Sequence, residues 1–205
     1  MTDPLRVLVA CEFSGTVRDA FAALGHYAIS IDLLPSDKPG EHIKGNILNV
    51  PMGYLQSFDL MIAHPPCTYL ANSGERWIKG NPGRLFERKE AVKFVRWLAG
   101  LDIPRIAIEN PIGHLSTAWR KPDQIIQPFH HGHPEWKSTC LWLKGLPLLK
   151  PSDIVEPDST TGGGKKPGRI SSKLHRLPPS ADRAKLRSIT YTGIANTMAQ
   201  QWSTQ

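Results

Sequence analysis

The first 32 residues constrain the fold more than any other stretch. "LRVLVACEF" is an apolar, β-branched run of the length of a buried parallel strand. Ser14 and Gly15 follow, and then "TVRDAFAALGH", where Val17, Ala20, Phe21 and Leu24 fall at helical spacing before Gly25. "YAISIDLL" reads as a second strand carrying Asp32 near its end. A strand, a glycine turn, a helix, a strand and an acid make the first half of a nucleotide-binding α/β sheet. In such sheets ligands bind outside the carboxyl ends of the strands, so strand exits are where function is sought.

Further elements continue the alternation. "IKGNILNV" is a short segment, and "FDLMIAH" is a third strand that runs into "PPC". "SGERWIKGNPG" is polar and glycine-rich and reads as a mobile loop with an exposed Trp77. "RLFERKEAVKFVRWLAG" reads as a helix of about four to five turns, with Leu85, Val92, Val95 and Leu98 as its apolar stripe. "IPRIAIENPIG" and "STCLWLKG" are two more strands, and "YTGIANTMAQQW" is a closing helix with Ile194, Met198 and Trp202 on one face. The expected organisation is an α/β catalytic and cofactor-binding domain over 1–145, a short basic Pro/Gly-rich segment over 146–188, and a helix within 189–205 that docks back on the body.

Charge separates these parts. Residues 1–136 hold 14 Lys/Arg and 14 Asp/Glu, whereas residues 137–205 hold 11 and 4, so the whole net charge of +7 sits in the last third. Such a distribution suits a polyanionic partner or, equally, a solvated basic tail. No run of eighteen apolar residues is present, so no transmembrane helix is expected, and the start "MTDPLRVLVACEF" lacks the marks of a signal peptide. The three cysteines, Cys11, Cys67 and Cys140, form no CxxC pair, which argues against a disulfide framework or a cysteine zinc site and for a reducing cytoplasm. His130, His131 and His133 invite a zinc reading, but no carboxylate or Cys completes the spacing, and they read as a polar loop with no metal.

Gly15, Asp32, Asn46, Cys67 and Glu109 all lie at or just after strand ends. The first turn has one glycine and no GxGxxG, so a pyrophosphate has no obvious close backbone approach. With Asp32 available for ribose hydroxyls, the pattern favours a nucleoside-like cofactor such as S-adenosylmethionine. Pro65 and Pro66 stiffen the backbone in front of Cys67, which suits a directed nucleophile, although a lone cysteine is commonly a small buried hydrophobe. Cys11 and Cys140 read as structural. Glu109 ends a buried strand, where burial raises a carboxyl's pKa so that it holds or donates a proton; a loop acid is the plainer alternative.

"PPC" and "ENP" together resemble the Pro-Cys and Glu-Asn motifs of the DNA cytosine-5 methyltransferase family. Other pieces fall in that family's order: "FSG" resembles its cofactor turn, Asp32 its ribose-binding acid, and "GNI" at 45–47 its Gly-Asp-Ile segment. "HGHPEWKSTCLWL" is similar to its Gly-x-Pro-Gln-x-Arg-x-Arg strand, and "TGIANTMAQQW" to its closing helix. His64 stands where the family has glycine, Thr68 where it has glutamine, and only about 146–187 occupies the place of its target-recognition domain.

The resemblance implies a Rossmann-like S-adenosylmethionine-dependent methyltransferase fold with a mostly parallel sheet. It implies Cys67 as the nucleophile at cytosine C6, Glu109 at N3, Asn110 orienting Glu109 or the Cys67 loop, and Lys137 near base or phosphate. Phe13, Ser14, Gly15, Asp32, Asn46, Pro65 and Asn196 would hold S-adenosylmethionine, and the loop from Thr68 to Gly83 would close over the base. Lys165, Lys166, Arg169, Lys173 and Arg176 would contact DNA phosphates. The compact pattern resembles bacteriophage and prophage members, which implies a bacterial or infected-host cytoplasm and a part in evading host restriction. Two rivals stand beside it: the same chemistry on a free cytosine nucleotide or single-stranded DNA, and a catalytically silent DNA-binding module.

Overall fold

The computed structural model of the chain describes residues 3–158, 178, 180 and 183–203. Its centre is a seven-stranded sheet of β1 (Arg6–Ala10), β2 (Tyr27–Asp32), β3 (His42–Lys44), β4 (Leu60–Ala63), β5 (Arg105–Pro111), β6 (Gln124–Ile126) and β7 (Thr139–Lys144). The order across the sheet is β3-β2-β1-β4-β5-β7-β6. The first five are mutually parallel, and β7 runs antiparallel to both β5 and β6. This is the Rossmann-like, mostly parallel architecture that the alternation predicts. The edge strand β6 has no counterpart in the sequence reading, being three residues long and half exposed.

Seven α-helical segments accompany the sheet among the described residues: α1 (Thr16–Ala22), α2 (Met52–Leu55), α3 (Glu75–Ile78), α4 (Pro82–Ala99), α5 (Leu115–Ala118), α6 (Arg183–Ser188) and α7 (Thr192–Trp202). Because strand side chains alternate between faces, the sheet buries two separate apolar layers. Leu8, Ile31, Met61, Ile106 and Ile108 pack with Val92, Val95 and Leu98 of α4. Val7, Val9, Leu60, Ile62 and Ala107 pack on the other face with Phe21 of α1 and Ile194, Met198 and Trp202 of α7. The last helix thus covers the central strands beside the first.

Two helix expectations need correction. Leu85 is exposed, and the place it was expected to fill on the buried face belongs to Arg88, which is 6% exposed. Arg88 forks onto Glu75 (2.6 and 3.1 Å) and donates to the Tyr69 carbonyl. That clamp also helps to order "SGERWIKGNPG", expected as a mobile loop: a 3₁₀ turn over Asn72–Gly74 leads into α3, and α4 begins within the stretch. α4 begins at Pro82, where a missing N–H costs nothing, with the Asn81 side chain accepting from Arg84 N.

At the other end, α7 sits close on the segment before β7. A Cβ on Gly193 would lie 1.7 Å from the His131 carbonyl oxygen, so only glycine permits that approach. The histidine loop makes the joint: His133 Nε2 accepts from Gly193 N, and His131 Nδ1 bonds Thr197 and Ser152 hydroxyls. Burial and the neighbouring His130 and His133 push His131 down to about 4, so it is held neutral. Among the described residues no His/Cys/Asp/Glu group is arranged for a metal ion, and no helix is long and apolar enough to cross a membrane.

Candidate active site

β4 and β5 are parallel neighbours whose last paired residues are Ala63 and Ile108. One step further, the register sets His64 beside Glu109, and a second step sets Pro65 beside Asn110. Alternation sends the members of each pair to one face, so two short motifs 45 residues apart meet by strand geometry alone. His64 Nδ1 lies 2.7 Å from Glu109 Oε2, with side chains only 9% and 14% exposed. Asn110 Nδ2 donates to the Pro65 carbonyl at 2.7 Å. That bond ties the exit of β5 to the prolines that precede Cys67, and Leu70 N and Ala71 N close the turn on the Cys67 carbonyl. Cys67 itself is exposed at the mouth of the site.

The electrostatics of this cluster differ from the sequence expectation. Burial pushes the Glu109 carboxyl up, as expected of a strand-end acid, but the hydrogen bond and charge of His64, helped by Lys137, outweigh it and leave the carboxyl below its ordinary value. For His64 burial pulls down, yet Glu109, with a smaller push from Glu12, carries the imidazole above 6.5 despite the opposing Lys137. The proton that a lone buried Glu109 would keep resides on His64. Partial enclosure of the sulfur and the Glu109 charge push the Cys67 thiol up, while Arg187 and Lys137 pull it down. Lys137 is therefore felt by Cys67, His64 and Glu109 alike. Its Nζ donates to the Arg187 carbonyl at 3.0 Å and lies 5.6 Å from the Tyr191 ring centroid.

Beside this cluster a cleft is lined by Cys11, Ile31, Asp32, Leu33, Gly45, Asn46, Ile47, Pro66 and Phe94. Asp32 and Asn46 thus meet at one small hollow with a largely apolar lining. Asp32 Oδ1 accepts from Leu34 N, and Asn46 Oδ1 caps the following turn by accepting from Leu48 N. Cys11 is not inside its strand, as expected, but one residue past β1, at φ 59, the only positive-φ residue other than glycine among those described. A non-glycine residue costs free energy in that region and such positions concentrate at functional sites. Burial and Asp32 push its thiol up to about 12, so it is neutral and lines the cleft as a small apolar group.

The remaining predicted cofactor residues have other places. Phe13 and Ser14 are buried in the turn, and Gly15 has φ +68 above the Arg18 guanidinium; none of the three lines the cleft. Pro65 is buried and its neighbour Pro66 takes the lining position. Asn196 is exposed on α7 and is not among the lining residues. Lys165, Lys166, Arg169, Lys173 and Arg176 lie outside the described residues.

Three groups in or beside this cluster escaped the sequence reading. Glu12 is buried, and its carboxylate accepts from Val17 N (2.7 Å), Arg18 N (3.2 Å) and the Ser14 hydroxyl. It fills the amide donors at the start of α1 that a phosphate would otherwise use, which agrees with a cofactor lacking a phosphate bridge. His64 is the second, and its signal was its departure from the motif. Arg187, in a Pro/basic stretch with little pattern, is the third.

No family model matches the sequence, and no curated protein matches it. Among solved structures the chain is similar to the S. pombe Dnmt2 methyltransferase, with 15% sequence identity and a TM-score of 0.49. The match covers 88% of this chain and 61% of that one, so this chain spans less than two thirds of that protein's length.

Proposed function

We propose that the protein is an S-adenosylmethionine-dependent methyltransferase acting at C5 of cytosine in DNA through a covalent adduct with Cys67. The observation that carries the reading is the meeting of Cys67, in the loop after β4, and the buried, hydrogen-bonded Glu109, near the end of the adjoining β5, next to a cleft holding Asp32 and Asn46. A thiol and an acid so placed suit addition to a pyrimidine ring: sulfur bonds to C6 while N3 takes a proton.

The cleft suits an adenosine group on its own chemistry. Asp32 offers a carboxylate for vicinal hydroxyls, and Ile31, Leu33, Ile47 and Phe94 offer apolar surface for a flat ring. With the helix start already occupied by Glu12, a charged phosphate has no equivalent donor set there. When bound, S-adenosylmethionine supplies an electrophilic methyl group. The chain's own residues do the rest. Cys67, exposed to solvent, gives up its thiol proton to water and forms the S–C6 bond, which makes C5 electron-rich. Glu109 lends a proton to N3 and takes it back at the end. Asn110 holds the Pro65 carbonyl and with it the approach of Cys67. After methyl transfer the C5 proton leaves to a base and the S–C6 bond breaks, restoring the ring. In duplex DNA the cytosine must first leave the stack, and the basic segment around Lys165 to Arg176 would hold the phosphates.

The test is transfer of labelled methyl to duplex DNA, single-stranded DNA and free deoxycytidine nucleotide, followed by trapping on 5-fluorocytosine DNA. The reading expects label in DNA and a trapped adduct that maps to Cys67. Label on the nucleotide alone would move the substrate from DNA to a free pyrimidine. Absence of any adduct in a preparation that binds the cofactor would sink the covalent mechanism.

A further inference from the structure

His64 faces four groups that set its chemistry. Glu109 on β5 accepts its Nδ1 hydrogen at 2.7 Å. Glu12, from the turn after β1, and Lys137, from the segment before β7, act on it at longer range and in opposite senses. Its backbone N–H donates to the Ala10 carbonyl, which fixes its place next to β1. Its Nε2 is buried with no hydrogen-bond partner among the described residues. The ring is therefore held by Nδ1 alone and can carry its second hydrogen on Nε2 without breaking any other contact.

We propose that His64 is the proton store of Glu109, a positioning residue that keeps on the pair the proton which N3 of a bound pyrimidine needs. The step rests on the pyrimidine reading above and balances as follows. The Nδ1 hydrogen passes along the hydrogen bond to Oε2, leaving a neutral imidazole with hydrogen on Nε2 and a neutral carboxyl. The carboxyl gives that proton to N3 as the S–C6 bond forms, and Glu109 is a carboxylate again. When the product ring is restored, N3 returns the proton to Glu109 and thence to His64. A neutral Glu109 also removes the charge that opposes thiolate formation at Cys67, so one proton movement serves both partners of the addition. The stored proton is present below the raised His64 value and is lost as pH rises through it.

Two measurements on the full chain decide the matter. NMR titration of the His64 ring should give a value above the ordinary 6.5 or so, falling in Glu109→Gln. The rate of His64→Asn should fall about tenfold or more just below the pH at which the wild-type ring titrates, and the gap should close as pH rises through that value, with the pyrimidine KM little changed. His64→Gln serves if the Asn variant does not fold. A His64 that titrates at or below about 6.5 in the wild type overturns the proposal, as does an equal loss below and above the His64 titration, the mark of mere packing. If the wild type transfers no methyl to any pyrimidine, the functional reading fails by itself, and the NMR titration still decides whether the store exists.

Discussion

The imidazole of His64 and the carboxyl of Glu109 sit one residue beyond the last paired positions of β4 and β5, joined by a 2.7 Å hydrogen bond. Each partner shifts the other toward its charged form. The Glu109 contribution to stability is present above its unfolded value near 4.5 and is lost as pH falls through its lower folded value. The His64 contribution is complete below its unfolded value near 6.5 and is lost as pH rises through its higher folded value. Glu109→Gln should therefore destabilise most between about 4.5 and 6.5, by about 1.5–3 kcal/mol. Urea unfolding of both proteins across pH checks this; a pH-independent difference would deny the ion pair.

Cys67→Ala should lower methyl transfer by about 10³-fold or more, since a nucleophile has no substitute. Cofactor affinity and the far-ultraviolet spectrum should stay as in the wild type, because Cys67 is exposed and does not line the cleft. Substantial residual transfer would mean that the sulfur does not form the bond.

Asp32→Ala should raise the dissociation constant for S-adenosylmethionine about 10- to 100-fold, the loss of a charge-assisted pair of hydrogen bonds. Calorimetric titration reads it directly. Unchanged affinity would place the cofactor elsewhere than the cleft beside β2.

Gly193→Ala should destabilise the fold by about 1–3 kcal/mol, because the added methyl meets the His131 carbonyl backbone rather than a side chain that can turn away. Thermal melting reads the loss, and the damage should appear first in α7. A neutral outcome would mean that α7 docks less closely than 1.7 Å demands.

His131 is held neutral with a folded value of about 4. The unfolded chain takes up that proton first, so stability should fall as pH drops from 6.5 toward 4 and then level off for this group. His131→Asn should flatten that part of the melting-temperature profile. A slope unaltered by the substitution would assign it to other groups.

The strand exits were legible because a buried parallel strand writes itself as an unbroken apolar run, and the residue after it is the exit. Asp32, the last residue of β2, and Cys67, in the loop after β4, could therefore be placed singly, whereas Glu109, expected at a strand end, lies inside β5, which pairs with β7 as far as Pro111. What the sequence withholds is which exits adjoin. The neighbouring of β4 and β5 converts His64 from a departure beside a motif into the partner of Glu109, and it reverses the expected direction of the Glu109 shift. Arg88 was hidden for a related reason: its spacing is that of an apolar stripe, and only the Glu75 carboxylate and the Tyr69 carbonyl make its burial affordable. Glu12 was hidden by position, since an acid next to a strand end does not announce that it will turn back onto the amides of α1.

The packing of α7 against α1 has a consequence for how the protein is made. β1 and α1 leave the ribosome well before α7, the helix that seals Val7, Val9 and Phe21 from water. Until Trp202 has emerged, one face of the nascent sheet is uncovered, an invitation to chaperones and to self-association. A stop codon ahead of Thr192 would remove the lid of a core rather than a tail.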